Sequence, residues 1–170
     1  MSYWLRSLRF LASALSSANS PRQLALGFSM GMMIGLVPKE NLTAVILLFI
    51  LAGSKVNLCS ASLGTIVFSW LAILIDPLSH LIGRSVLLAS SLQGFWVSVY
   101  EVPLAPWTDF NNTIVMGSLI LGLFMFYPVF RISKPQFEKY TPLLTHKLKK
   151  YRIVQLLWGT QVGAIVGEVS

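Results

Sequence analysis

The 170 residues leave room for one domain, and with 55% hydrophobic and 11% charged residues the chain lies far to the apolar side of a soluble domain, which carries about 25% charge. The net charge of +7 and pI near 9.9 would point to nucleic acid in a soluble protein, but the cations gather towards the two ends beside apolar segments, the distribution of a membrane protein with lysines and arginines on its cytoplasmic side. A single cysteine, Cys59, excludes an intramolecular disulfide, and no His, Cys or carboxylate set has the spacing of a metal site, so neither metal nor cofactor is expected.

Residues 1–19 predict an interfacial helix. Trp4, Leu5, Leu8, Leu11, Ala12 and Leu15 share one face and Arg6, Arg9, Ser13 and Ser16 the other, the pattern of a helix lying on a membrane surface. The same face could instead dock on a partner protein. A cleavable secretory signal is disfavoured, because serines break the apolar run and Pro21 would follow directly after Ala18-Asn19-Ser20. Ser20 and Pro21 then supply an N-cap and a first helical residue.

The stretch 20–55 is the centre of the prediction. Residues 23–37 and 42–52 are uncharged and apolar, yet each is shorter than the ~20 residues of a membrane crossing, and they meet at Pro38-Lys39-Glu40-Asn41. Two half-length helices joined by a polar turn predict a re-entrant hairpin that carries Lys39 and Glu40 into the membrane, with Arg22 and Lys55 marking the cytoplasmic surface. A single kinked crossing over 23–53 would be longer than the bilayer requires. Gly27, Gly31 and Gly35 recur every four residues and form a smooth stripe for close helix packing.

Residues 58–75 have the length of a crossing, and Asp76-Pro77 is read as its stop. Residues 78–100 carry His80, Arg84, Ser90, Ser91 and Gln93 and read as a bent or partly interfacial arm. Asp76, His80 and Arg84 would share a face if the helix ran through Pro77, offering either an ion-paired cluster or an anion patch for a phosphate headgroup. Residues 101–112 hold Glu101 and Asp109, no lysine or arginine, and two X-Pro pairs, so they predict a non-helical external loop.

A second crossing is expected over 113–129, ending at Tyr127-Pro128. Between 131 and 152 seven cations stand against Glu138, with Pro135 and Pro142 as punctuation, which predicts a basic cytoplasmic arm attracted to anionic headgroups by about 1 kcal/mol per well-placed cation. A C-terminal membrane-associated helix is expected over 153–170. There Gln155, Leu156, Gly159, Gly163 and Gly167 repeat the spacing of Gln23, Leu24, Gly27, Gly31 and Gly35, so the two stripes are candidates to pack on each other.

With these residues in view, 20–88 resembles an uncharacterised bacterial inner-membrane family, the domain of unknown function 2062. The likeness rests on Ser20-Pro21, Leu24-Ala25-Leu26-Gly27-Phe28-Ser29-Met30-Gly31, Ile34-Gly35-Leu36-Val37-Pro38, Val56-Asn57-Leu58 and Gly64-Thr65; Ser69-Trp70 stands where the family commonly has Asn-Pro. The resemblance implies a place in the bacterial cell membrane and, in multidomain relatives, company with glycosyltransferase-like domains, but no established activity. The shorter run Gly35-Leu36-Val37-Pro38-Lys39-Glu40, followed by Ala52-Gly53, looks like the Pro-x-Glu re-entrant hairpin of DedA-type membrane proteins, which implies lipid movement between leaflets.

The expectation is therefore a small polytopic all-α integral membrane protein of the bacterial inner membrane, with two crossings and both termini cytoplasmic. It would be a non-enzyme that binds or helps translocate a phosphate-bearing lipid through Arg22, Lys39, Glu40, Asp76, His80 and Arg84, with membrane lipids and a larger membrane or periplasmic protein as partners. The alternative is a structural or assembly subunit that docks a larger membrane protein through its glycine stripes. An enzyme is disfavoured because no acid, base or nucleophile set has a convincing spacing.

Overall fold

The computed structural model describes residues 20–149; the predicted interfacial helix and the stripe of Gly159, Gly163 and Gly167 lie outside them. Among the described residues the fold is all-α, with five helices: α1 Pro21–Leu36, α2 Leu42–Gly53, α3 Leu58–Leu87, α4 Gln93–Tyr100 and α5 Thr113–Lys149. Short 3₁₀ turns occupy Ser90–Leu92 and Ala105–Thr108.

The first three helices begin where side chains can satisfy their free N–H groups. Ser20 and Gln23 form a capping box with Pro21 in the first turn of α1, Asn41 accepts from the Ala44 amide at the start of α2, and Asn57 accepts from Ser60 at the start of α3. Asn41 also donates to the Pro38 carbonyl at 2.9 Å, which closes the turn between α1 and α2. At 1.5 Å per residue α1 is about 24 Å long and α2 about 18 Å, each short of the ~30 Å hydrocarbon thickness of a bilayer.

The helices α1, α3 and α5 form the core, with α1 and α3 running side by side in the same direction. A Cβ on Gly27 would lie 2.5 Å from the Asn57 carbonyl oxygen, one on Gly31 would collide with the Ala61 carbonyl, and one on Gly35 would lie 2.8 Å from Thr65 O and Phe68 Cβ. Gly64 of α3 answers by facing the Phe28 carbonyl. The α1 stripe is thus filled by α3, and Ser60 Oγ adds a buried 2.7 Å hydrogen bond to the Leu24 carbonyl across the seam. The helix α2 folds back on α1 through two small clusters, Val37, Ala44 and Val115, and Ile34, Leu51 and Ala61.

The helix α5 runs antiparallel to both. Gly117 meets the Ser79 carbonyl and Gly83 meets the Thr113 carbonyl, so Ser79-x-x-x-Gly83 and Thr113-x-x-x-Gly117 interlock as two small-residue stripes. Ser79 Oγ is buried in this crossing without a hydrogen-bond partner. Towards the other end of α5, Phe137 meets Phe28 edge to face.

Several sequence expectations are corrected. Asp76-Pro77 does not end a helix: α3 continues to Leu87, because one missing amide donor is outweighed by the packing of Ser79 and Gly83 on α5. Residues 78–100 are therefore no single arm but the end of α3, a 3₁₀ turn and the eight-residue α4, which is too short to cross a bilayer. Likewise Tyr127-Pro128 does not end the second long helix, and Pro135 and Pro142 do not break the basic segment; α5 passes through all three prolines. The loop predicted as non-helical over 101–112 contains the 3₁₀ turn Ala105–Thr108, opened by Pro106 in its first turn.

Both α3 and α5 are long and apolar enough to cross a membrane. Much of their apolar surface is uncovered by the rest of the chain: Trp70 is 75% exposed, Leu74 77% and Phe124 77%, and Phe49 of α2 is 74% exposed.

Candidate functional site

The turn between α1 and α2 projects Lys39 and Glu40 from a backbone fixed by Asn41 and by the buried Val37. Because α1 runs alongside α3 with its glycines against the α3 backbone, the turn arrives beside Ser69, in the middle of α3. Lys39 Nζ donates to the Gly35 carbonyl at 2.8 Å and to Ser69 Oγ at 2.9 Å; Ser69 Oγ in turn donates to the Thr65 carbonyl at 2.6 Å. Asp76, two turns further along α3, exerts an attractive field on the Lys39 ammonium without making a direct ion pair.

A second element closes over this turn from the segment between α4 and α5. Thr43 Oγ1 donates to the Thr108 carbonyl at 2.7 Å, tying the start of α2 to a turn 65 residues later in the chain. That turn is bracketed by two non-glycine residues in the left-handed region, Leu104 at φ 71° and Asp109 at φ 54°. Such conformations cost about 1–2 kcal/mol in L-residues, although an aspartate adopts them more readily than a leucine. Here they are held by the Thr43 bond and by Thr108 Oγ1 donating to Ala105 O at 2.6 Å. Behind the turn, Trp96, Tyr100 and Phe110 stack as an aromatic cluster, and Trp96 Nε1 donates to Val86 O, which fastens α4 to the end of α3.

Between these elements lies an open groove of about 470 Å³, walled by Lys39, Glu40 and Asn41 on one side and by Trp107 and Asp109 on the other, with Leu42, Val45 and Pro106 as its apolar lining. The arrangement combines one ammonium, two carboxylates and an indole face with apolar side chains.

The other predicted residues are placed differently. Since α3 runs through Pro77, Asp76, His80 and Arg84 do share a face, but they make no ion pair among themselves. His80 Nδ1 lies 2.7 Å from Thr113 Oγ1 and binds α3 to the start of α5. Arg84 is exposed near the end of α3, and Arg22 is exposed at the start of α1, at the opposite end of the bundle from the groove. Of the six predicted binding residues, Lys39 and Glu40 line the groove, and Asp76 does not line it but attracts the Lys39 ammonium. Ser69, Trp107 and Asp109 were not foreseen, because their link to Lys39 and Thr43 is long-range and leaves no local spacing signal.

Elements so arranged define a small helical-hairpin protein, with two helices long and apolar enough to cross a membrane and a polar groove at the hairpin turn. The chain belongs to the family described as "Uncharacterized protein conserved in bacteria (DUF2062)", whose model matches residues 6–142. The family likeness therefore extends well beyond the 20–88 stretch that carries the sequence motifs. The chain is also 22% identical over 144 residues to an "Uncharacterized protein" of Treponema pallidum (strain Nichols), covering 85% of this chain and 89% of the relative. No solved structure matches. A likeness to DedA-type proteins is not among what these matches show.

Proposed function

We propose that this is an integral protein of the bacterial inner membrane that binds, or helps translocate, a phosphate-bearing lipid at the groove beside the α1–α2 turn. The observation that carries the reading is Lys39. Its ammonium is held by Gly35 O and Ser69 Oγ at the middle of α3, in the same stretch where Trp70, Ile73 and Leu74 present an uncovered apolar surface. A fixed charge beside an apolar belt is costly in a bilayer, and such charges mark ligand and substrate pathways there.

The charge distribution supports an orientation. Arg22, Lys55, Arg131, Lys134 and Lys139 stand with the start of α1, the start of α3 and the second half of α5, which would face the cytoplasm. The groove and the 105–109 turn then face the opposite leaflet. In this arrangement α1 and α2 enter from the cytoplasmic side and turn back at Lys39. A partner protein would have to use another face than the α1 stripe, which α3 occupies.

The test is reconstitution in vesicles with a fluorescent phospholipid and measurement of its binding and leaflet exchange. Lys39→Gln and Trp107→Ala, both inserted and folded, are expected to lower binding or exchange by tenfold or more. Unchanged lipid behaviour in both variants would overturn the proposal.

A further inference from the structure

We infer that the headgroup this groove takes carries a primary ammonium as well as a phosphate, as in an aminophospholipid; this rests on the lipid reading above and names its ligand class. The argument is one of uncompensated charge. Two of the three Lys39 N–H donors are engaged by Gly35 O and Ser69 Oγ, and the Asp76 carboxylate attracts the ammonium from the α3 side without pairing with it. One donor is left over, on a side chain that lines the groove.

Glu40 on the same wall and Asp109 on the opposite one have neither a hydrogen bond to their carboxylates nor an ion pair among the described residues, where the salt bridge formed is Lys134 with Glu138. The groove thus presents two free carboxylates against one half-engaged ammonium. A purely anionic headgroup would bring further negative charge into this groove, whereas an ammonium between Glu40 and Asp109 would be met by acceptors on two sides. Trp107, 71% exposed, adds an indole face to which a cation is attracted. The remaining Lys39 donor is left for the phosphate.

Two further features narrow the class. Two carboxylates with a single aromatic ring reward N–H donors, so a primary amine is favoured over a quaternary one, which is recognised by cages of several aromatic rings. The apolar side of the groove, Leu42 and Val45, continues into the exposed Ile46 and Phe49 of α2, a surface along which an acyl chain can lie.

The experiment is competitive lipid binding by the full chain in nanodiscs, with phosphatidylethanolamine, phosphatidylcholine and phosphatidylglycerol as probes and soluble glycerophosphoethanolamine as competitor. The expected order is ethanolamine over choline over glycerol. Glu40→Gln and Asp109→Asn should each reduce the ethanolamine-to-glycerol preference by about tenfold, which is about 1.4 kcal/mol, and Glu40→Lys should reverse it. A preference for phosphatidylglycerol that Glu40→Gln leaves unchanged would overturn the inference, while the lipid reading would stand provided Lys39→Gln still weakens binding. If no groove variant alters binding of any lipid, the lipid reading itself falls. Competition by glycerophosphoethanolamine as strong as by the intact lipid would make the ligand a free headgroup and overturn the assignment to lipid.

Discussion

Replacing Gly31 by alanine is the most direct perturbation of the seam that positions the hairpin turn. The added Cβ would lie 2.8 Å from the Ala61 carbonyl carbon and 3.0 Å from its Cα, with the carbonyl oxygen closer still, whereas ordinary contact begins at 3.4 Å. Because these are backbone atoms, no rotamer change relieves the clash, and α1 and α3 must separate by roughly 0.5–1 Å, a gap that forfeits about a quarter to a half of the dispersion energy across it. Inserting such a group costs about 1–3 kcal/mol, here at the upper end, and the better helix propensity of alanine returns about 1 kcal/mol. The net loss is about 2 kcal/mol, or a melting temperature lower by roughly 4–8 °C for a chain of this size. Gly53 is the internal control, since a Cβ there has nothing within 4 Å and Gly53→Ala should be neutral or slightly stabilising. Both variants would be melted in the same detergent and followed by tryptophan fluorescence. Equal melting temperatures would refute the direct α1–α3 contact.

Single cysteines at Glu40 and Asp109, in a Cys59→Ser background, should be labelled by an impermeant reagent from the same side of the membrane, and a cysteine at Lys139 from the other; labelling of Glu40 and Asp109 from opposite sides would separate the two walls of the groove. Ser79→Ala should leave stability unchanged or raise it by up to about 1 kcal/mol, because it removes a buried hydroxyl without a partner; a clear loss in a thermal melt would mean that the hydroxyl is bonded after all. Thr43→Val should cost about 1 kcal/mol through the bond to Thr108 and free the 105–109 turn, seen as faster proteolysis between 101 and 112; unchanged cleavage would show that Thr43 does not hold the turn.

Local chemistry was legible in the sequence, and long-range chemistry was not. Ser20-Pro21, the two short apolar segments and the polar turn at 38–41 announce a capped helical hairpin, and the structure has helices within two residues of the expected bounds at each end. The prolines misled, because a proline's missing donor is a local cost of about 3 kcal/mol, whereas the contacts that carry α3 past Pro77 come from Gly117 on another helix. The stripes Ser79-x-x-x-Gly83 and Thr113-x-x-x-Gly117 have the same spacing as the α1 glycines and were open to the same reasoning, but mixed serine, threonine and glycine hid them. For the groove, Lys39 and Glu40 stood out as charges in an apolar stretch. Trp107 and Asp109 looked like ordinary loop residues, since what brings them to the turn is a hydroxyl on Thr43 and two left-handed residues, neither of which has a periodicity.

The three prolines of α5, Pro128, Pro135 and Pro142, are seven residues apart and all exposed. Two helical turns separate each from the next, so the carbonyls of Phe124, Arg131 and Glu138, which lose their amide donors, line up along one side. Three missing hydrogen bonds on one side are the positions at which a helix bends most easily, and here they share one plane. The start of the same helix follows closely on the 105–109 turn, so that α5 is continuous in the chain with one wall of the groove.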